Sequence, residues 1–266
     1  MKNDRWTRAL ITGASSGIGR ELVRQLSVAG IPTVAVARRE DRLKALADEY
    51  DGVEVLVADL TATAGVARVV DRLRDTSRPI DFLVNNAGFG TSGQFIELPT
   101  ERLVDEVRLN VEAVVVLCHA VLPAMVASRR GWVMNVSSVA GFQASPGLAN
   151  YAATKSFVTS FSEALHEEVR RHGVHVTALC PGLTATEFQQ VSNVFDRPSS
   201  FPAAAWLSVE EVATTGLRDT ARGKTVSVPG LQYKALVSAS NVVPRSISRR
   251  AARIVRRLSQ RPQATG

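Results

Sequence analysis

Apolar runs rich in β-branched residues alternate along this chain with segments of helical period. RALITGA, from Arg8, is followed by GRELVRQLSVAG, PTVAVA by a polar stretch from Glu40, and VEVLVA by another helical segment that leads into IDFLVNNAG. Short continuous apolar runs suit strands buried on both faces, and strand–helix–strand repeats of this kind predict an α/β fold with a parallel sheet and helices on both sides. Farther along, the pattern predicts a long helix from about Thr100 to Ser128, a strand in GWVMNVSS, a helix from about Asn150 to Arg171 and a strand in VHVTALCPG. Ser208 and Glu211 in SVEE read as a capping box opening a last helix, with a short strand, KTVSVPG, after it. The stretch 187–207, EFQQVSNVFDRPSSFPAAAWL, lacks clear periodicity, and loops of that length in compact domains often serve as lids.

Length and composition fit one soluble α/β domain: 266 residues, 45% hydrophobic and 21% charged. Charge adds more. Residues 231–266 contain Lys234 and seven arginines with no acid, so that stretch carries +8, while the remainder, 24 basic against 25 acidic residues, carries −1. The chain therefore divides into a domain over 1–230, including the lid, and a basic C-terminal extension over 231–266. Within the extension, Ile247, Ala251, Ile254, Val255 and Leu258 fall at helical spacing opposite arginines. Such a helix can contact an anionic membrane surface weakly or pack its apolar stripe on the body. Nucleic acid is not an expected partner.

Cys118 and Cys180 sit in apolar runs and read as buried thiols, which suits a reducing, cytoplasmic setting, peripheral to a membrane only through the tail. The N-terminus lacks the apolar run of a signal peptide, and VEAVVVLCHAVLPAMVA is interrupted by Glu112, His119 and Pro123, so no transmembrane helix is expected. His119, His166, His172 and His175 show no ligand clustering, and no metal is expected.

Three stretches carry chemistry. TGASSGIG follows the first strand directly, with Gly13, Gly17 and Gly19 spaced G-x-x-x-G-x-G, a different spacing from the general G-x-G-x-x-G fingerprint. Glycines at a strand-to-helix turn let backbone approach a diphosphate, and the helix N-terminus offers it free N–H groups. The second strand ends AVARRE: Ala37, Arg38 and Arg39 stand where an acid would bond the ribose 2′-hydroxyl of NAD, which favours the 2′-phosphate of NADP(H). In NYAATK, Tyr151 and Lys155 stand one helical turn apart, on one face, with only small residues between them.

Together with NNAG (85–88), Asn110, Ser138 in NVSS and PGLTAT (181–186), these motifs make residues 8 to about 229 resemble the short-chain dehydrogenase/reductase family. Residues 222–245 resemble the C-terminal part of a bacterial, DltE-like branch of it. The resemblance implies a Rossmann-type doubly wound parallel sheet and an NADP(H)-dependent enzyme interconverting a carbonyl and a secondary alcohol. It implies Tyr151 as general acid or base, Ser138 holding the substrate oxygen, Lys155 binding the nicotinamide ribose and lowering the tyrosine pKa, and Asn110 holding a proton-relaying water. Moving a phenol from ~10 to ~7 needs about 4 kcal/mol, and an ammonium ~4 Å away at an effective dielectric of ~20 supplies about that.

For the cofactor, the resemblance implies Gly13, Ser15, Ser16, Gly17, Ile18 and Gly19 at the turn and Arg38 and Arg39 at the 2′ position. Asp59 and Leu60 would lie beside the adenine, Asn86, Ala87 and Gly88 behind it, and Pro181, Gly182, Thr184 and Thr186 around the nicotinamide. It also implies a homodimer or homotetramer through the helices of Asn110 and Tyr151. Of the adjacent serines, strand geometry lets only one meet the tyrosine, and the family's spacing selects Ser138 over Ser137. The apolar residues of the lid, among them Phe188, Phe195 and Trp206, suggest a substrate with a hydrophobic body, or else pin the lid to the domain. A non-catalytic nucleotide-binding regulator on the same fold is a rival that would be expected to have lost Tyr151 or Lys155; epimerisation or dehydration with a bound nucleotide is another.

Overall fold

The computed structural model describes residues 6–188 and 202–242. In chain order the elements are β1 (Ala9–Thr12), α1 (Gly17–Val28), β2 (Thr33–Ala37), α2 (Glu40–Glu49), β3 (Val53–Val57), α3 (Thr63–Arg74) and β4 (Phe82–Asn85). They continue with α4 (Thr100–Val107), α5 (Ala113–Ser128), β5 (Gly131–Val136), α6 (Ala149–Val169), β6 (Val174–Leu179), α7 (Val209–Ala221), β7 (Val226–Ser227) and α8 (Leu231–Val242). The seven strands form one sheet in the order β3-β2-β1-β4-β5-β6-β7. Every pairing is parallel. The winding reverses between β1 and β4, and a sheet of this kind opens a crevice at the carboxyl ends of its strands at that point.

Period-two alternation explains why the strands read as unbroken apolar runs. Ile11, Val84 and Met134 enter the core on one side of the sheet with Leu22, Leu26 and Val212. Their neighbours Leu10, Leu83 and Val133 enter the other with Val69, Leu117 and Met125. Both faces are thus buried, and the level carboxyl ends, with Asn85 beside Asn135 and Val136 beside Leu179, present a common edge.

The helix of Thr100–Ser128 is long and apolar enough to cross a membrane by composition. It is packed instead as a core helix: Val114, Leu117, Cys118, Val121 and Met125 all belong to the second core. A π-helical turn, Arg108–Glu112, interrupts it. Periodicity alone did not signal this turn. The expected strand KTVSVPG is reduced to Val226–Ser227, paired at the edge to Ala178 and Leu179. Ser208 Oγ accepts the Glu211 N–H at 3.0 Å and caps α7. Residues 231–242, assigned by charge to the extension, form α8, which buries Tyr233 and Val237 in the first core. Residues 189–201 of the lid and the arginine-bearing helix expected over 245–258 lie outside the described residues.

Candidate active site

The nucleotide end of the crevice is fixed by backbone. Between the end of β1 and the start of α1 the chain reverses through Gly13 (φ 68°), and Gly17 (φ 54°) opens the helix, both in the left-handed region that favours glycine. Gly19 is a glycine for lack of room: a Cβ there would lie 2.3 Å from Gly13 O and 2.5 Å from Asn86 Nδ2. Asn86 locks the turn to β4, its Nδ2 donating to Thr12 O at 2.9 Å. The backbone N–H groups of Asn86 and Ala87 both donate to Thr12 Oγ1 at 3.0 Å. Gly17 and Ile18, in the first turn of α1, line the crevice.

The two arginines after β2 part company. Arg39 folds back over the glycine turn, donating to Ser15 Oγ at 3.0 Å and Ser16 Oγ at 2.9 Å. Arg38 reaches the other way, 3.8 Å from the Asp59 carboxylate. Asp59 Oδ1 in turn accepts the backbone and hydroxyl of Thr61 at 2.9 and 2.8 Å. Glu187, just past the PGLTAT motif, holds Arg39 at 3.0 Å and Arg42 at 2.6 Å.

At the other end, α6 carries Tyr151 and Lys155 one turn apart, both buried. Ser138 lines the cleft beside the phenol, close enough to favour its ionised form, while its Oγ accepts the Ala140 N–H at 3.1 Å. Ser137 points into the helix instead, donating to Lys155 O at 2.7 Å and meeting Thr159 Oγ1 at 2.7 Å, so the serines divide as their opposite strand faces require. Asn110 is brought in by the π-helical turn, a distortion common at functional sites. Its Oδ1 accepts the Phe89 N–H at 3.2 Å, and its Nδ2 donates to Phe89 O at 2.9 Å and to Thr154 Oγ1 at 3.1 Å. Thr154, between the tyrosine and the lysine, is small because it is a joint in this network.

Electrostatics differ from the expectation that Lys155 would lower the tyrosine pKa. In the protein chain alone burial dominates, pushing the Tyr151 phenol up to about 12 against the opposing effect of Ser138, with the charge of Glu106 adding to the rise. Burial likewise lowers Lys155 to about 8, opposed by Glu106. The ammonium donates to Val136 O at 2.8 Å and lies 5.8 Å from the centre of the tyrosine ring.

These parts line one cleft of about 430 Å³. Of the residues singled out from the sequence, Gly13, Ser15, Ser16, Gly17, Ile18, Arg38, Arg39, Asp59, Leu60, Asn86, Ala87, Gly88, Ser138, Tyr151, Lys155, Pro181, Gly182, Thr184 and Thr186 all line it. Gly19 packs beneath the turn, and Asn110 stands behind Gly88, whose added Cβ would meet its Oδ1 at 2.9 Å. The residues suit an elongated dinucleotide: close backbone and a helix N-terminus for a diphosphate, arginine and serine hydroxyls to one side, and the tyrosine–lysine pair at the far end.

Sequence reasoning placed Phe188 in the lid but gave it no partner, and did not single out Glu187 or Tyr233, which also line the cleft. The Phe188 ring lies 5.5 Å from that of Tyr151. Tyr233, from α8, accepts the Leu183 N–H at 3.0 Å and donates to Ala205 O at 2.7 Å, tying the PGLTAT turn to the far end of the lid. Only its adjacency to a motif could have flagged Glu187, and Tyr233 had no spacing signal at all.

Residues 7–196 match the sequence profile of the short chain dehydrogenase family. An uncharacterized oxidoreductase of Myxococcus xanthus is 37% identical over 189 residues, covering 70% of this chain and 75% of its own. Among solved structures, a short-chain dehydrogenase from Sphingobium yanoikuyae in complex with NADPH is similar with a TM-score of 0.79 and 34% identity, covering 97% of this chain and 98% of that one. The bulky-bulky ketone specific alcohol dehydrogenase from Comamonas testosteroni follows at TM-score 0.75 and 30% identity, covering 98% and 97%. The profile covers most of the chain, and the doubly wound sheet is shared, so this protein belongs to the short-chain dehydrogenase family of oxidoreductases.

Proposed function

We propose that the protein is an NADP(H)-dependent oxidoreductase that interconverts a carbonyl and a secondary alcohol on a substrate with a hydrophobic body. The observation that carries this reading is the buried Tyr151, beside Ser138 and one turn from Lys155, at the end of a cleft whose other end is a glycine turn flanked by Arg39. The α1 N-terminus would hold the diphosphate, Arg39 with Ser15 and Ser16 the 2′-phosphate, and Lys155 the nicotinamide ribose. NADPH, when bound, supplies the hydride. Ser138 orients the carbonyl oxygen and the Tyr151 phenol donates its proton to it. In the chain alone burial keeps the phenol in its protonated form, the form that can donate to a carbonyl oxygen. Lys155 and a water held by Asn110 return a proton to the phenol.

The hydrophobic-body reading draws on Phe89, Leu148 and Phe188, which line the substrate end of the cleft, and on the likeness to an enzyme of bulky ketones. Placement in the DltE-like branch rests on residues 222–245 alone. A dimer or tetramer is supported by Val104, Val107 and Phe157, each 41% exposed on the α4 and α6 surfaces, and light scattering on the purified protein tests it. The function itself is tested by following NADPH oxidation with ketones of rising bulk. Turnover that increases with the apolar bulk of the ketone is expected, and a preference for short polar ketones would overturn the substrate assignment. Nucleotide binding without oxidation on any carbonyl would favour a non-catalytic binder.

A further inference from the structure

We infer that Glu187 is an internal occupant of the 2′-phosphate site, competing with the cofactor for Arg39 and thereby setting the affinity for phosphorylated nucleotides. The inference rests on the NADP(H) reading above. A carboxylate and a phosphate are interchangeable partners for a guanidinium, since both offer oxygens in the same forked geometry. Arg39 spends its Nε and Nη2 on Ser15 and Ser16, which leaves Nη1, and Glu187 Oε2 takes it at 3.0 Å. The arrangement that would clasp a 2′-phosphate is thus closed by a carboxylate of the same chain.

The contacts also indicate how the exchange proceeds. Glu187 Oε1 is bound separately to Arg42 at 2.6 Å, so the carboxylate can release Arg39 without losing its second partner. A hollow of about 480 Å³ lined by Arg20, Arg42 and Glu187 adjoins the cleft and gives it room to withdraw. Arg39 and Glu187 are each about 40% exposed, so their pair is weak, whereas a phosphate monoester brings close to two charges. The phosphate therefore wins, at a cost in affinity. A nucleotide with a 2′-hydroxyl leaves the pair in place and incurs no such cost. Because Phe188, beside Glu187, packs on the Tyr151 ring, the exchange also connects the 2′ position to the reactive end.

The test is calorimetric titration of wild type, Glu187→Gln and Glu187→Ala with 2′,5′-ADP and with 5′-AMP, which lacks the 2′-phosphate. Both variants should bind 2′,5′-ADP about threefold to tenfold more tightly, the scale of one or two exposed ion pairs, with 5′-AMP unchanged within about twofold. Unchanged or weaker 2′,5′-ADP binding in variants that melt like wild type would overturn this inference alone. Wild type binding 5′-AMP as tightly as 2′,5′-ADP would overturn the NADP(H) reading, and this inference with it.

Discussion

The nucleotide end of the cleft is assembled from backbone and clearance, whereas the substrate end is assembled from side chains contributed by separate loops. At the first, Gly19 has no room for a Cβ, and the Asn86 amide and the Thr12 hydroxyl tie β1 to β4. At the second, Phe188, Leu148 and Phe89 come from three connections, and Tyr233 reaches in from α8. Backbone requirements restrict residue type at fixed spacing, so they leave motifs. Side-chain walls can be built in many ways and leave none. The two ends should therefore respond differently to substitution: the first through folding and nucleotide binding together, the second through substrate alone.

Lys155→Met should separate function from stability most sharply. Turnover should fall by about 10²–10³-fold, the scale of a lost acid–base partner. Stability should rise, because the fold holds Lys155 near 8 against 10.5 in the unfolded chain. Between those values the unfolded chain binds the extra proton, so the stability of wild type increases with pH as the burial penalty is relieved. The gain from methionine should thus be greatest below pH 8, up to about 3 kcal/mol, and shrink toward pH 10.5, as urea titrations across that range would show. A gain that grows with pH would contradict the buried ammonium.

Gly19→Ala should cost about 1–3 kcal/mol by overpacking and weaken nucleotide binding by about tenfold or more, read by melting and by titration with NADPH. Phe188→Ala should do the opposite, raising KM for bulky ketones about fivefold to tenfold while moving the melting temperature by less than about 2 °C. Equal effects of both substitutions on nucleotide binding would erase the distinction between the two ends. Smallest in its effect on KM is Tyr233→Phe, which, because Tyr233 also belongs to the first core, departs from that rule: losing the hydrogen bonds to Leu183 and Ala205 should cost about 1–2 kcal/mol of stability while raising KM for ketones more than KM for NADPH.

The sheet was legible because strands buried on both faces must be continuously apolar, and Leu10 and Ile11 indeed serve opposite cores. The glycine turn and the tyrosine–lysine turn were legible because local geometry dictates their spacing. The division of the arginines was not: side by side at the end of β2, Arg38 and Arg39 look equivalent until Ser15, Ser16 and Asp59 draw them apart. Nor was the π-helical turn at Asn110, since one extra residue barely disturbs an apolar pattern that is hydrophobic nearly all round. The expected lowering of the tyrosine pKa by Lys155 did not hold for the chain alone, because a sequence shows the neighbouring charge but not the burial that opposes it.

The most direct test is Tyr151→Phe, with NADPH oxidation on a bulky aryl ketone and NADPH affinity measured on the same preparation. If the phenol delivers the proton, kcat should drop by about 10³-fold or more while the dissociation constant for NADPH stays within about threefold. A variant that retains turnover would show that the proton comes from elsewhere.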